Sequence, residues 1–163
     1  VSSKLTVGTH LLTILALYPG QPLTSEQLAC SVNTNPVVIR RILGLLRDAG
    51  YVDSKHGVGG GWVLLADPAR ITLLDIFRAV EPQQETFALH RCEPDQACLV
   101  GRNIQKVLTE LYHDVQQAMD QHLASSSIAS VVAAVKERGD QSVNSQLNQD
   151  TQRLAASRSN LSS

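Results

Sequence analysis

Aromatic side chains are scarce in this chain. Phe, Trp and Tyr together make up 4% of its 163 residues. Any core must therefore be aliphatic. Cysteine is scarce too, with three in all. A small odd number does not suit a secreted fold held by disulfides, and the expected compartment is the cytoplasm. No apolar run approaches the ~20 residues that cross a bilayer, so no membrane partner is expected. Charge of one sign is also lacking: the formal net charge is −1. Many nucleic-acid proteins are basic overall, yet residues 1–68 hold five Lys/Arg against four Asp/Glu. A case for DNA must rest on where the basic residues sit. Missing, finally, are the marks of an enzyme. There is no CxxC pair, no glycine-rich phosphate loop and no Ser/His/Asp pattern in a fitting context. No catalytic activity is expected.

What is present is a series of helix signals around one hairpin signal. Residues 5–18 are apolar-rich and stop at Pro19-Gly20. Thr24 and Gln27 have capping-box spacing, opening a short helix to about Ser31. Asn35 is a good cap and Pro36 a good first residue for the next helix, which ends near Ala49-Gly50. Residues 51–65, YVDSKHGVGGGWVLL, read as strand, glycine turn and strand. Gly57, Gly59, Gly60 and Gly61 permit the backbone angles of a tight tip. A helix over 71–80, capped by Thr72, closes near Pro82. Residues 83–98 read as a loop.

A long helix is expected over 99–123. Ile104, Leu108, Leu111, Val115, Ala118 and His122 alternate spacings of four and three, a short heptad seam. Residues 125–127 break it, and 128–136 form a last short helix. The remainder is rich in Ser, Gln and Asn and reads as disordered. The expected fold is mainly α with a small β-hairpin. It divides into a winged helix-turn-helix at 1–82, a cysteine-bearing loop at 83–98, a dimerisation helix and short C-terminal helix at 99–136, and a tail at 137–163.

The helix after Asn35 has two faces. At ~100° per residue, Val38, Ile39, Ile42, Leu43, Leu45, Leu46 and Ala49 fall on one arc, the core face. Val37, Arg40, Arg41, Gly44 and Arg47 fall on the other. In a helix-turn-helix, such a second helix lies in the major groove. Arg40 and Arg41 suit guanine or phosphate, and Val37 suits a thymine methyl. Thr34 and Asn35 suit phosphate oxygens. Lys55 and His56, with Gly59 and Gly60 at the tip, place the hairpin against a minor groove or backbone. Trp62 reads as a packing residue. The competing reading is a solvated arginine face, or a winged helix that meets an acidic protein.

SEQLACSVNTNPVVIRRILGLLRDAGYV, followed by GVGGGWVLLADPARITLLDIFRAVE, resembles the Rrf-two family of bacterial winged-helix regulators. The likeness covers residues 5–80 closely and the long helix more loosely. It implies a homodimer on a palindromic double-stranded DNA operator, most often as a repressor. Cluster-binding members carry three cysteines before the dimerisation helix. Here the loop offers only Cys92 and Cys98, a departure that argues against a conventional iron–sulfur cluster, and no cofactor is expected. CLVGRNIQKVL and NPVVIRR look more like the cluster-free branch typified by YwnA.

The resemblance also directs attention to thiols. Cys98 falls at a helix start, where amide groups favour the thiolate. Cys30 points ~200° from Leu28 and Val32, away from the buried face of its helix. The expectation is redox control through a Cys30–Cys98 disulfide, within or between subunits, with Cys92 a resolving partner or a spare thiol. The alternative is a metal- or iron–sulfur-responsive regulator using His90, Cys92 and Cys98, with Cys30 able to complete four ligands. Cys-x5-Cys is not a zinc-finger spacing.

Overall fold

The computed structural model describes residues 3–81, 87, 89 and 92–140. Its order is α1 (Lys4–Leu17), α2 (Ser25–Val32), α3 (Pro36–Asp48), β1 (Val52–Lys55), β2 (Gly61–Leu64), α4 (Leu73–Val80) and α5 (Leu99–Ala124). A last helix, α6, covers residues 128–140. It runs four residues beyond the expected 136. Of the expected tail, residues 141–163 lie outside the described residues, as does most of the 83–91 loop.

The capping signals act as their chemistry requires. Thr24 Oγ1 accepts from the Gln27 amide at 3.2 Å, and Gln27 Oε1 accepts from the Thr24 amide at 2.8 Å. Asn35 Oδ1 accepts from the Val37 amide at 2.8 Å. Asn33, in the left-handed region at φ 56°, makes the turn between α2 and α3. Thr72 and Asp75 form a second capping box at α4. The cap residue Thr72 is extended, so α4 begins at Leu73 and not at 71.

The core is aliphatic. Leu11, Leu12 and Leu15 of α1 meet Leu28 of α2, Ile39, Ile42, Leu43 and Leu46 of α3, and Ile76 and Val80 of α4. The buried stripe of α3 is narrower than the expected arc. Val38 is exposed, Leu45 is only partly covered, and Ala49 is the exposed C-cap. Val38 stands ~100° from Ile39, on the flank that the neighbouring helices leave open. At the C-terminal side of α5 the chain returns to the core. Leu73 N–H donates to Ser126 at 2.9 Å, and Ile128 N–H to Ile71 at 2.9 Å. Ile128 is fully buried among the helices of the head. The segment after α5 thus belongs to the winged head as well as to the long helix.

The hairpin is a two-stranded antiparallel sheet with Val52 opposite Leu64 and Lys55 opposite Gly61. Its tip needs glycine for space as well as angle. A side chain on Gly60 would place Cβ 2.3 Å from the Lys55 carbonyl oxygen. The wing is also stitched to the helix-turn-helix. Leu23 and Trp62 exchange backbone hydrogen bonds at 3.0 and 2.8 Å. Trp62 Nε1 donates to Ser25 Oγ at 3.2 Å, so Trp62 is a packing residue as expected.

Candidate nucleic-acid interface

The outer face of α3 is open. Val37 is 64% exposed, and Arg40, Arg41 and Arg47 are exposed beside it. A Cβ added at Gly44 would meet nothing within 4 Å, so this position is a shallow step in that face. The three arginines differ in their partners. Arg40 Nη2 donates to Glu26 Oε1 of α2. Arg47 Nη2 lies 3.2 Å from Asp48 Oδ1. Arg41 makes no ion pair among the described residues. Exposed pairs are worth about 0–1 kcal/mol, so these acids bias where the arginines point without neutralising the face.

The helix start is organised by Asn35, whose oxygen is committed to the cap. A phosphate contact there falls to its amide nitrogen. Thr34 stands half-covered in the turn, with its backbone N–H donating to Ala29 at 3.1 Å. On the wing, Lys55 ends β1 and His56 follows it; both are exposed. Gly59 is exposed, with φ 76°. The Gly60 N–H is spent inside the turn on the Gly57 carbonyl at 3.0 Å. Gly60 therefore shapes the wing and offers no amide to DNA.

Two features escaped the sequence reading. Val58, between Gly57 and Gly59, is the fully exposed apolar tip of the wing. A cleft of about 260 Å³ separates the wing from the α2 N-terminus, lined by Thr24, Ser25, Ser54, Lys55 and His56 among others. Hydroxyls and cations at that spacing suit a backbone phosphate. The capping box was legible; the Leu23–Trp62 backbone pairing that brings Thr24 and Ser25 up to the hairpin was not. The larger concavity of about 890 Å³ lies elsewhere, between α1, α2 and α6. Its lining is mainly aliphatic side chains, threonines and His10, without Lys or Arg, and it is no part of the basic face.

All three cysteines are exposed and free. Cys98 is the N-cap residue of α5. Its sulfur makes no close capping hydrogen bond, yet the backbone amides of Gly101 and then Val100 hold the thiol below its ordinary pKa. Cys30 lies on the outer side of α2, as its helical phase predicted. His90 lies outside the described residues.

The geometry is that of a winged helix-turn-helix, and similarity to known proteins decides the family. Residues 1–134 match the family described as "Rrf2: Iron-dependent Transcriptional regulator". The chain belongs to the Rrf2 family. It is 43% identical over 132 residues to the HTH-type transcriptional regulator YwnA of Bacillus subtilis (strain 168), covering 81% of this chain and 96% of YwnA. A crystal structure described as that of a DNA-binding protein is 39% identical, with TM-score 0.63, covering 79% of this chain and 98% of the other. A regulator structure from Lactobacillus plantarum superposes with TM-score 0.72 at 25% identity, covering 90% and 98%. As an Rrf2 protein this chain is a DNA-binding transcriptional regulator and not an enzyme.

The family description names iron, and the thiols of this Rrf2 chain are too few for a cluster held by cysteines alone. Thiolate-held clusters take about four cysteines. The chain has three cysteines, of which only Cys92 and Cys98 lie between α4 and α5, and residues 99–104 supply no thiol or imidazole. Among the described residues no group of three or more His, Cys, Asp or Glu could hold a metal ion.

Proposed function

We propose that this Rrf2 regulator is a repressor that binds a palindromic operator as a homodimer and releases it when its thiols are oxidised. Val37, Arg40 and Arg41 read base edges in the major groove. Thr34, Asn35 and Arg47 hold phosphates beside them. Lys55, His56 and Gly59 hold the backbone or minor groove from the wing. The observation that carries this reading is the exposed Val37–Arg40–Arg41 face standing beside a wing that carries Lys55 and His56. Arginine pairs with the guanine O6/N7 edge through two N–H groups, and valine packs on a thymine methyl.

The homodimer reading is supported by α5. None of its 26 residues is buried, and Leu99, Val100, Val107, Leu111 and Val115 are large exposed apolar side chains. An amphipathic helix of that kind gains its stability from packing. A second copy supplies it, and two heads then address two half-sites about one helical turn apart.

Control by oxidation rests on Cys98 and Cys30. A hydroperoxide oxidises the Cys98 thiolate to a sulfenic acid and leaves as alcohol or water. The Cys30 thiolate then attacks that sulfur, forming the disulfide as water departs. Cys92 is the alternative resolving thiol. A bond from α2 to the α5 end restricts the head and misplaces one half-site. Operator binding before and after peroxide, in the native protein and in Cys30→Ser and Cys98→Ser, tests this. The native protein loses the operator and both variants keep it. Equal release by all three contradicts redox control through these thiols.

A further inference from the structure

The reading head carries an acid beside its proposed base reader. Glu26 is the second residue of α2, and its Oε1 accepts from Arg40 Nη2 across the helix-turn-helix. Both side chains face solvent, 62% exposed for Glu26 and 52% for Arg40. The ion pair joins α2 to α3 at this point. The Thr24–Gln27 capping box fixes the start of α2 on which Glu26 stands. Its own backbone N–H first, then Arg40 and the Thr24 hydroxyl, hold the Glu26 carboxyl below the usual carboxylate range. The group is therefore an anion throughout the working pH range.

An anion on a DNA-binding face costs affinity for any phosphate backbone, so its presence needs a compensating role. A guanidinium has five N–H donors in a rigid plane. One carboxylate oxygen occupies one of them and leaves others for a base edge. Without that partner a long arginine samples many rotamers and neutralises whichever phosphate it meets, which contributes equally on every sequence. We propose that Glu26 is a positioning residue for Arg40, holding its guanidinium for a guanine edge and denying it to phosphates, so that it sets operator specificity. The same charge repels a misdocked backbone, the repulsive component that specificity often requires. This inference rests on Arg40 being a base reader.

Glu26→Gln keeps the volume and the exposed position but removes the charge. Affinity for an operator duplex and for an unrelated duplex is measured over a salt series in the native protein, Glu26→Gln, Arg40→Ala and the double variant, with thermal midpoints to verify folding. Glu26→Gln is expected to tighten non-specific binding, to steepen its salt slope by about 0.9 per subunit, and to lower the operator-to-non-operator ratio by up to about fivefold per half-site. In the Arg40→Ala background the same change leaves the ratio unaltered, because coupled residues are non-additive. A ratio unmoved by Glu26→Gln, or lowered equally with and without Arg40, overturns the inference. If Arg40→Ala itself leaves the native ratio intact, the base-reading role falls and this inference falls with it. If Arg40→Ala lowers the ratio and Glu26→Gln does not, only the role of Glu26 falls.

Discussion

Single residues on this molecule are separable by what they are asked to recognise. Arg40 faces bases in the proposed complex, and Lys55 faces the backbone. Arg40→Ala is expected to cost about 1–3 kcal/mol on the operator and much less on unrelated DNA. Lys55→Ala is expected to weaken both alike and to reduce the salt slope by about 0.9 per subunit. Binding isotherms on two duplexes at several salt concentrations distinguish the two; equal losses on all sequences for Arg40→Ala would exclude it as a reader. Cys98 can be singled out in the same way. Amides of Gly101 and Val100 depress the Cys98 pKa, so its thiolate persists to lower pH than an ordinary thiol. Its alkylation rate should fall only once pH drops below that depressed value. A variant retaining only Cys98, followed against pH, should therefore show a profile displaced to the acid side of that of free cysteine. Coincident profiles would remove the reason for choosing Cys98 as the sensor.

At the scale of elements, glycine marks two opposite requirements. Gly44 lies in the interior of α3 with open space around it. Gly44→Ala should stabilise the helix by about 1 kcal/mol and yet weaken operator binding, because the methyl group stands on the face proposed to approach DNA. A raised thermal midpoint with unchanged operator affinity would show that this step in the helix does not meet the groove. Gly60→Ala should do the reverse, disturbing the wing through the Lys55 carbonyl and lowering affinity on every sequence. Much of this architecture was legible in the chain because its signals are local. Capping pairs at Thr24/Gln27 and Asn35/Val37, the Pro36 start and the glycine tip each need only neighbours in sequence. Cys30 was placed on an outer face by phase alone. What escaped depended on distant contacts. The exposure of Val38 follows from where α1 and α2 stop covering α3. The Gly60 amide is consumed by a turn hydrogen bond. The pairing of Arg40 with Glu26, and the cleft between Thr24 and Lys55, exist only once α2, α3 and the wing are assembled.

The whole molecule joins a reading head to a helix of 26 residues, none of them buried by its own chain. The join is firm: Ile128, beyond that helix, is fully buried in the head. Ile128→Ala should therefore destabilise the head by about 2–5 kcal/mol, measured by denaturant unfolding. Leu111→Glu on the exposed seam should leave the head folded but shift sedimentation from dimer to monomer. A dimer unaffected by that charge would place the interface elsewhere. Under the proposed redox control, such coupling would carry a bond at one cysteine to the spacing of two heads. The central claim, that α3 reads sequence on paired half-sites, is tested most directly by selecting bound duplexes from a random library with the native protein and with Arg40→Ala. The native protein should yield a palindrome with half-sites about one helical turn apart, and Arg40→Ala should lose a guanine preference at matching positions in both halves. An identical consensus from both proteins, or no consensus from the native one, would contradict it.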